Sequence, residues 1–136
     1  MDLPVKQLTD TFAVLRPNLR VRGVDVTADL YADLDSEYEG FKNHVLIAAH
    51  RFSEDWPTWE RHPAGDEIVM LMSGKVELVL KAAAGDTSVI LDAPGSYVII
   101  PQNTWHTARV SQPTQMLFVT PGEGTENLED PDAETA

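Results

Sequence analysis

Two imidazoles and two carboxylates are spaced in this chain as a metal or polar-ligand site would need them. In the stretch HPAGDEIVMLMSG, four residues separate His62 from Glu67 and six separate Glu67 from Gly74. In GSYVIIPQNTWH, five residues separate Gly95 from Pro101 and four separate Pro101 from His106. Glu60 lies two residues before His62, so on a strand both side chains point to one side. Pro63-Ala64-Gly65 then turns the chain before Glu67 opens the next strand. One β-corner thus offers carboxylate, imidazole and carboxylate, and His106 arrives from a later strand. Imidazole with carboxylate oxygen suits manganese, iron, nickel or zinc as divalent ions, and ligand type alone does not choose among them. The set reads as two His and two Glu, or as two His and one carboxylate with positions open to a substrate. In the second case Glu60 supports the site or faces solvent. The alternative is a metal-free small-molecule binding or sensor module, in which the same groups only form hydrogen bonds.

Further candidates flank these stretches. Trp59 and Trp105 are candidates for a pocket wall stacking on a ring-shaped ligand, and the Tyr97 hydroxyl for a pocket donor. His50 shares one strand face with His44, Leu46 and Ala48, which directs it to the pocket or its rim. Trp56 reads as a hydrophobic plug. Asp66, next to an inward Glu67, faces the other way and reads as structural.

Short strands must position these groups. From His44 onward they follow one another between turn signals: His44 to Phe52, Asp66 to Met72, Lys75 to Lys81, Thr87 to Leu91, Ser96 to Ile100, His106 to Val110 and Gln115 to Thr120. Such even spacing without intervening helices predicts an all-β barrel or sandwich. Ser73-Gly74 reads as the turn of a hairpin. Upstream, Val5, Leu8, Phe12 and Leu15 fall on one helical face, with Pro4 at a first position and Pro17 as a stop, which predicts an N-terminal helix over Pro4–Leu15. Arg20 to Thr27 reads as a strand, and residues 28–43 give no clear pattern. The expected organisation is an N-terminal helical segment over 1–20, a β-barrel over 21–120 and an acidic flexible tail over 121–136. Inward Glu67, Val69 and Leu71 leave Ile68, Met70 and Met72 as an outward apolar row, which predicts a homodimer or an intrachain cover.

Composition removes several classes. The chain has 136 residues and no cysteine, so one domain is expected, without disulfides, thiolate metal ligands or a cysteine nucleophile. A net charge of −12 argues against nucleic acid and anionic membranes as partners. Half of that charge sits after Pro121, in Glu123, Glu126, Glu129, Asp130, Asp132 and Glu134. The polar N-terminus and the lack of a long apolar run predict a cytoplasmic protein. The glycines are scattered in turns rather than gathered in a phosphate loop.

The two stretches resemble the paired motifs of the cupin superfamily, over roughly residues 44 to 120. The first motif is His-x-His, three or four residues, Glu, six residues, Gly. The second is Gly, five residues, Pro-x-Gly-x-x-His, three residues, Asn. His62, Glu67, Gly74, Gly95, Pro101 and His106 match. Glu60 stands where the first histidine is usual, and Asn103 and Val110 replace the glycine and asparagine of the second motif. The resemblance implies a small single-domain, microbial-type cupin: a double-stranded β-helix, or jelly-roll barrel, often dimeric. It implies a divalent metal on His62, Glu67 and His106 and dioxygenase- or isomerase-like chemistry on a small organic molecule, with no particular substrate indicated.

Overall fold

The computed structural model describes residues 1–132. Among the described residues, eleven strands form two antiparallel sheets. In chain order they are β1 (Thr11–Leu15), β2 (Val21–Asp25), β3 (Val45–Phe52), β4 (Trp59–Arg61), β5 (Glu67–Ser73), β6 (Val76–Ala82), β7 (Gly85–Leu91), β8 (Tyr97–Ile100), β9 (His106–Arg109), β10 (Thr114–Thr120) and β11 (Glu126–Leu128). One sheet has the order β2-β1-β3-β10-β5-β8 and the other β11-β4-β9-β6-β7. Among the described residues the one α-helix, α1 (Leu30–Glu37), and a 3-10 turn at Glu39–Phe41 precede β3. No helix among the described residues is long and apolar enough to cross a membrane.

Alternation explains the strands. Along β5 Glu67, Val69 and Leu71 are buried, and along β10 Thr114, Met116, Phe118 and Thr120 are buried. These inward rows meet Val76, Leu78, Leu91, Ile100, Ala108 and Val110 in one core cluster. A second cluster joins Phe12 and Val14 of β1 with Leu46 and Ala48 of β3, under Leu30 and Leu34 of α1 and the nearby Tyr38 and Phe41. Leu30 and Leu34 are one helical turn apart, so a short helix buries both on one side.

Three expectations for the elements need correction. The N-terminal helix over Pro4–Leu15 is absent. Thr11–Leu15 is a strand with Phe12 and Val14 buried, and Leu3 and Val5 are exposed. The helical face was a coincidence of spacing. Pro17-Asn18-Leu19 forms a hairpin turn, with Asn18 Oδ1 accepting from the Arg20 amide, and β1 pairs with both β2 and β3. The one helix instead lies in 30–37, where five acidic residues between Asp29 and Glu39 masked Leu30 and Leu34.

Ser73-Gly74 is not a hairpin turn either. Strand β5 pairs with β10 and β8, whereas β6 pairs with β7 and β9, so the chain crosses here from one sheet to the other. The hairpin is β6–β7, closed at Ala82 opposite Gly85. Gly74 has φ +86°, and a Cβ there would lie 2.5 Å from the Pro113 carbonyl and from Thr114 Oγ1. Gly74→Ala is therefore expected to destabilise the protein by about 2–3 kcal/mol, combining a left-handed backbone with a backbone collision. A denaturant midpoint unchanged from the parent chain would contradict this.

The C-terminal segment is the third. Glu126, Asn127 and Leu128 pair with Arg61, Glu60 and Trp59, so acidic residues expected to be a solvated tail form an edge strand. Arg61 donates to Glu126 at 2.9 Å, and Lys81 donates to Asp132 at 2.8 Å. Local cations and β pairing offset the low apolar content there. Glu134 lies outside the described residues.

Candidate metal centre

The β-corner forms as its residues suggest. Glu60 and His62 come from β4 and its end, Pro63–Gly65 turns the chain, and Glu67 opens β5 in the opposite sheet. His106 opens β9, where it pairs in register with Glu60. The loop before it is pinned to the corner: the Asn103 amide donates to the His62 carbonyl at 2.9 Å, and the Gln102 amide to Asp66 Oδ1 at 2.7 Å. Asp66 thus has the structural role expected of it. Asn103 has φ 60°, which explains how it replaces glycine, since asparagine adopts the left-handed region more readily than most residues.

The four side chains converge. One ligand atom from each of Glu60, His62, Glu67 and His106 lies within 4.8 Å of every other. His62 Nε2 is 3.1 Å from Glu67 Oε2 and 3.4 Å from Glu60 Oε1; His106 Nε2 is 3.1 Å from Glu67 Oε1 and 3.3 Å from Glu60 Oε1. Donors about 2.1 Å from a common ion sit roughly 3.0–3.4 Å apart for octahedral to tetrahedral angles, and the four imidazole–carboxylate contacts fall in that range, those to Glu67 through its two different oxygens. His62 Nε2, His106 Nε2 and Glu67 Oε1 are buried without a well-directed hydrogen bond, as are Arg16 Nε, His44 Nε2, Trp56 Nε1 and Arg61 Nε elsewhere. Close approach with poor direction is the pattern expected when lone pairs point at a shared centre rather than at one another.

The outer nitrogens fix the tautomers. His106 Nδ1 is 2.9 Å from the Thr104 carbonyl, which can only accept, so Nδ1 carries the hydrogen. His62 Nδ1 is 2.8 Å from Thr125 Oγ1, and that hydroxyl spends its one hydrogen on the Gly122 carbonyl at 3.0 Å. Thr125 must therefore accept from His62. In the neutral form both rings then turn a bare Nε2 toward the carboxylates, the outer-bond arrangement that orients metal-binding histidine. Thr120 donates to Glu67 Oε2 at 2.6 Å and holds that carboxylate in place.

Without an ion the quartet is electrostatically paired. Burial alone would lower both imidazoles, but Glu60 and Glu67 overcome it and raise His62 to about 9 and His106 to about 10. Burial pushes Glu60 and Glu67 up, and the imidazoles outweigh it, taking Glu60 to about 2 and Glu67 below its ordinary range. The raised histidines stabilise the fold fully below their ordinary 6.5 and lose that contribution as pH rises through about 9 and about 10. The depressed Glu60 contributes fully above its ordinary 4.5 and loses that as pH falls toward about 2. The metal-free protein is therefore expected to melt highest between about pH 4.5 and 6.5 and progressively lower above pH 7. Metal uptake must displace both protons, so affinity should rise with pH, by up to about a hundredfold per unit below pH 9. Calorimetric melts and zinc titrations at four pH values check both trends, and a flat affinity profile would contradict them.

A cavity of about 790 Å³ opens onto Glu60, His62 and Glu67 of the quartet. Of the expected pocket residues, the structure brings only His50 to its wall. Trp59 carries the Lys81 ammonium 4.5 Å over its ring, and Trp105 carries the Arg61 guanidinium at 4.5 Å, both away from the cavity lining. Tyr97 is exposed on β8 opposite Met70. Strand alternation accounts for the tryptophans, because each directly precedes an inward ligand, Glu60 or His106, and so faces outward. The aromatic wall comes instead from Phe52, Trp56 and Phe118, with Tyr31 near the helix start. Trp56 is placed by its own amide on the Ala108 carbonyl and by Asp55 Oδ1 on the Val110 amide. Phe118 and Thr120 could have been read from the β10 alternation. Thr125 gave no signal inside an acidic segment.

No protein-family profile matches the sequence, and no curated protein is significantly similar to it. The likeness to solved structures is one of fold. Recombinant oxalate oxidase in complex with glycolate superimposes with a TM-score of 0.51 at 18% identity, over 60% of this chain and 45% of its own. Another oxalate oxidase structure gives 0.50 at 20% identity, over 60% and 44%. A cupin-2 domain containing protein from Shewanella frigidimarina NCIMB 400 gives 0.49 at 16% identity, over 57% and 70%. The aligned region spans less than half of the oxalate oxidase chains. With two antiparallel sheets facing one another and both motif stretches meeting at one buried Glu/His cluster that could hold a metal ion, this chain has the cupin-like jelly-roll fold expected from its sequence, which it shares with the oxalate oxidase structures.

Proposed function

We propose that the chain is a small metal-dependent cupin acting on a small organic molecule. His62, Glu67 and His106 hold one divalent ion, and Glu60 is the fourth donor. The observation that carries this reading is the pair of buried Nε2 atoms whose tautomers are set from outside by Thr104 and Thr125. Both inner nitrogens and Glu67 Oε1 sit 3.1–3.4 Å from opposing groups without directed hydrogen bonds, as donors aimed at one shared ion would. When bound, the ion would polarise a substrate oxygen or bind dioxygen at positions the four side chains leave open. The protein's own part is to orient: Thr120 steadies Glu67, the His62–Thr125 bond fixes one ring, and the Phe52, Trp56 and Phe118 wall keeps one side of the cavity apolar. Glu60 also makes the site charge-balanced, because two carboxylates match one divalent ion. Elemental analysis of untagged protein, purified without chelator, tests the reading. One manganese, iron, nickel or zinc ion per chain is expected. A metal-free preparation that also fails to take up added ion would favour a binding or sensor module.

The same reading extends to a homodimer. On the outer face of the larger sheet, Met72, Tyr97 and Ile99 are exposed and Ile68 and Met70 half-buried, with Ile99 opposite Ile68 and Tyr97 opposite Met70. The helix packs elsewhere, on Phe12, Val14, Leu46 and Ala48. We propose that a second copy covers this row, because a continuous apolar sheet face is costly in water. Light scattering should give twice the chain mass at micromolar concentration, and Met70→Glu should halve it. A monomeric parent chain would contradict the dimer.

A further inference from the structure

We infer that the cavity selects an uncharged aromatic molecule bearing a hydroxyl group, its ring held by Phe52, Trp56 and Phe118 and its hydroxyl by Tyr31 and His50. This deepens the small-molecule reading of the site and rests on it. The first observation is a continuous aromatic wall. Ring centroids are 5.4 Å apart for Phe52 and Trp56, 6.2 Å for Phe52 and Phe118, and 5.8 Å for Trp56 and Phe118. The wall runs from His50, 5.7 Å from Phe118, to His106, 6.3 Å from Trp56. A planar ring lying on it gains offset or edge contacts that a saturated ring of equal size does not.

The second observation is the polar pair at the far end of that wall. Tyr31 Oη lies 3.4 Å from His50 Nε2, and both residues line the cavity. That distance is at the long end of hydrogen bonding, so each group retains capacity for a third partner. Although Tyr31 is 61% exposed as a whole, burial at its hydroxyl end, then Glu60 and Glu67, raise its pKa above the usual range. Burial lowers His50, with Glu60 opposing. The pair is therefore a phenol with a neutral imidazole, one donor and one group able to accept, as a ligand hydroxyl requires.

Charge is the third. Beyond the quartet, the lining carries Asp35, Glu54 and Asp55 against Arg51 alone. An ion on the quartet balances only Glu60 and Glu67, so the cavity stays net acidic and disfavours an anionic ligand. Its volume exceeds one ring. A single-ring probe therefore reports the recognised group and not the whole ligand.

The test measures dissociation constants of phenol, toluene, cyclohexanol and benzoate by ligand-observed NMR, on metal-free and zinc-loaded protein. Phenol should bind at least about tenfold more tightly than cyclohexanol or benzoate in both forms. Phe118→Ala should remove most of that preference, and a melt checks its folding. Tyr31→Phe removes one oxygen at the cavity mouth; it should weaken phenol several-fold and leave toluene unchanged. Equal binding of cyclohexanol and phenol, stronger binding of benzoate, or no phenol binding in either form would overturn the inference. Zinc uptake is read in the same samples. Phenol preference without zinc uptake would count against the metal reading alone, and zinc uptake without aromatic preference against this inference alone.

Discussion

Replacing His106 by alanine is expected to lower affinity for a divalent ion by more than about a hundredfold, since even outer-bond partners of metal ligands are worth about 10–100-fold. His106 is fully buried, and its Nε2 faces both carboxylates at 3.1–3.3 Å. Alanine removes one of the imidazoles facing the buried Glu67 and leaves it His62 and Thr120 as close partners among the described residues. The metal-free variant should therefore also lose about 3 kcal/mol near pH 6, where the imidazolium is present in the parent chain. Glu60→Ala should cost less on both counts, because Glu60 is the more exposed carboxylate. Glu60→His should retain or strengthen metal binding by restoring the histidine usual at that position. Zinc titration and denaturant melts of the variants at pH 6 check the ranking. A His106→Ala protein that binds zinc as the parent does would contradict it.

Ending the chain at Gly122 is expected to damage both stability and the site. The cut removes β11, its pairing with β4 and the Thr125 hydroxyl that fixes His62. Losing these bonds and exposing β4 as an edge should cost about 2 kcal/mol, a melting point roughly 5–10 °C lower. Metal affinity should fall about 10–100-fold, because His62 is freed to rotate and to take the other tautomer. Thr125→Ala separates the two effects. It keeps the strand, so most of the affinity loss should remain with little loss of stability. A truncated chain with unchanged melting point and zinc affinity would mean that the C-terminal strand plays neither part.

What the sequence made legible follows from how local each signal is. The quartet was readable because Glu60, His62 and Glu67 share one corner, and strand alternation fixes which way each points. The inward rows of β5 and β10 were readable for the same reason. Pairing partners were not: Ser73-Gly74 looks like a hairpin turn in one dimension, and only the contact of Gly74 with Pro113 and Thr114 reveals a crossing between sheets. Thr11–Leu15 fits both a helical and a strand period, and its pairing with β3 decides the outcome. Trp59 and Trp105 lie beside the motif stretches but not in the pocket wall, because the alternation that places Glu60 and His106 inward sends both outward. Thr125 acts across 63 residues of sequence, through one hydrogen bond to His62. Nothing in the composition of an acidic segment encodes such a contact.

The most direct test of the account is a titration of metal-stripped protein with manganese, iron, nickel and zinc at pH 7.5, beside a variant with His62, Glu67 and His106 all replaced by alanine. The four-donor centre predicts saturation at one ion per chain for at least one of these metals, with affinity at least about a thousandfold above that of the triple variant. If the parent chain binds none of the four ions more tightly than the triple variant does, the metal centre is contradicted, and the quartet is a buried network of two imidazolium–carboxylate pairs.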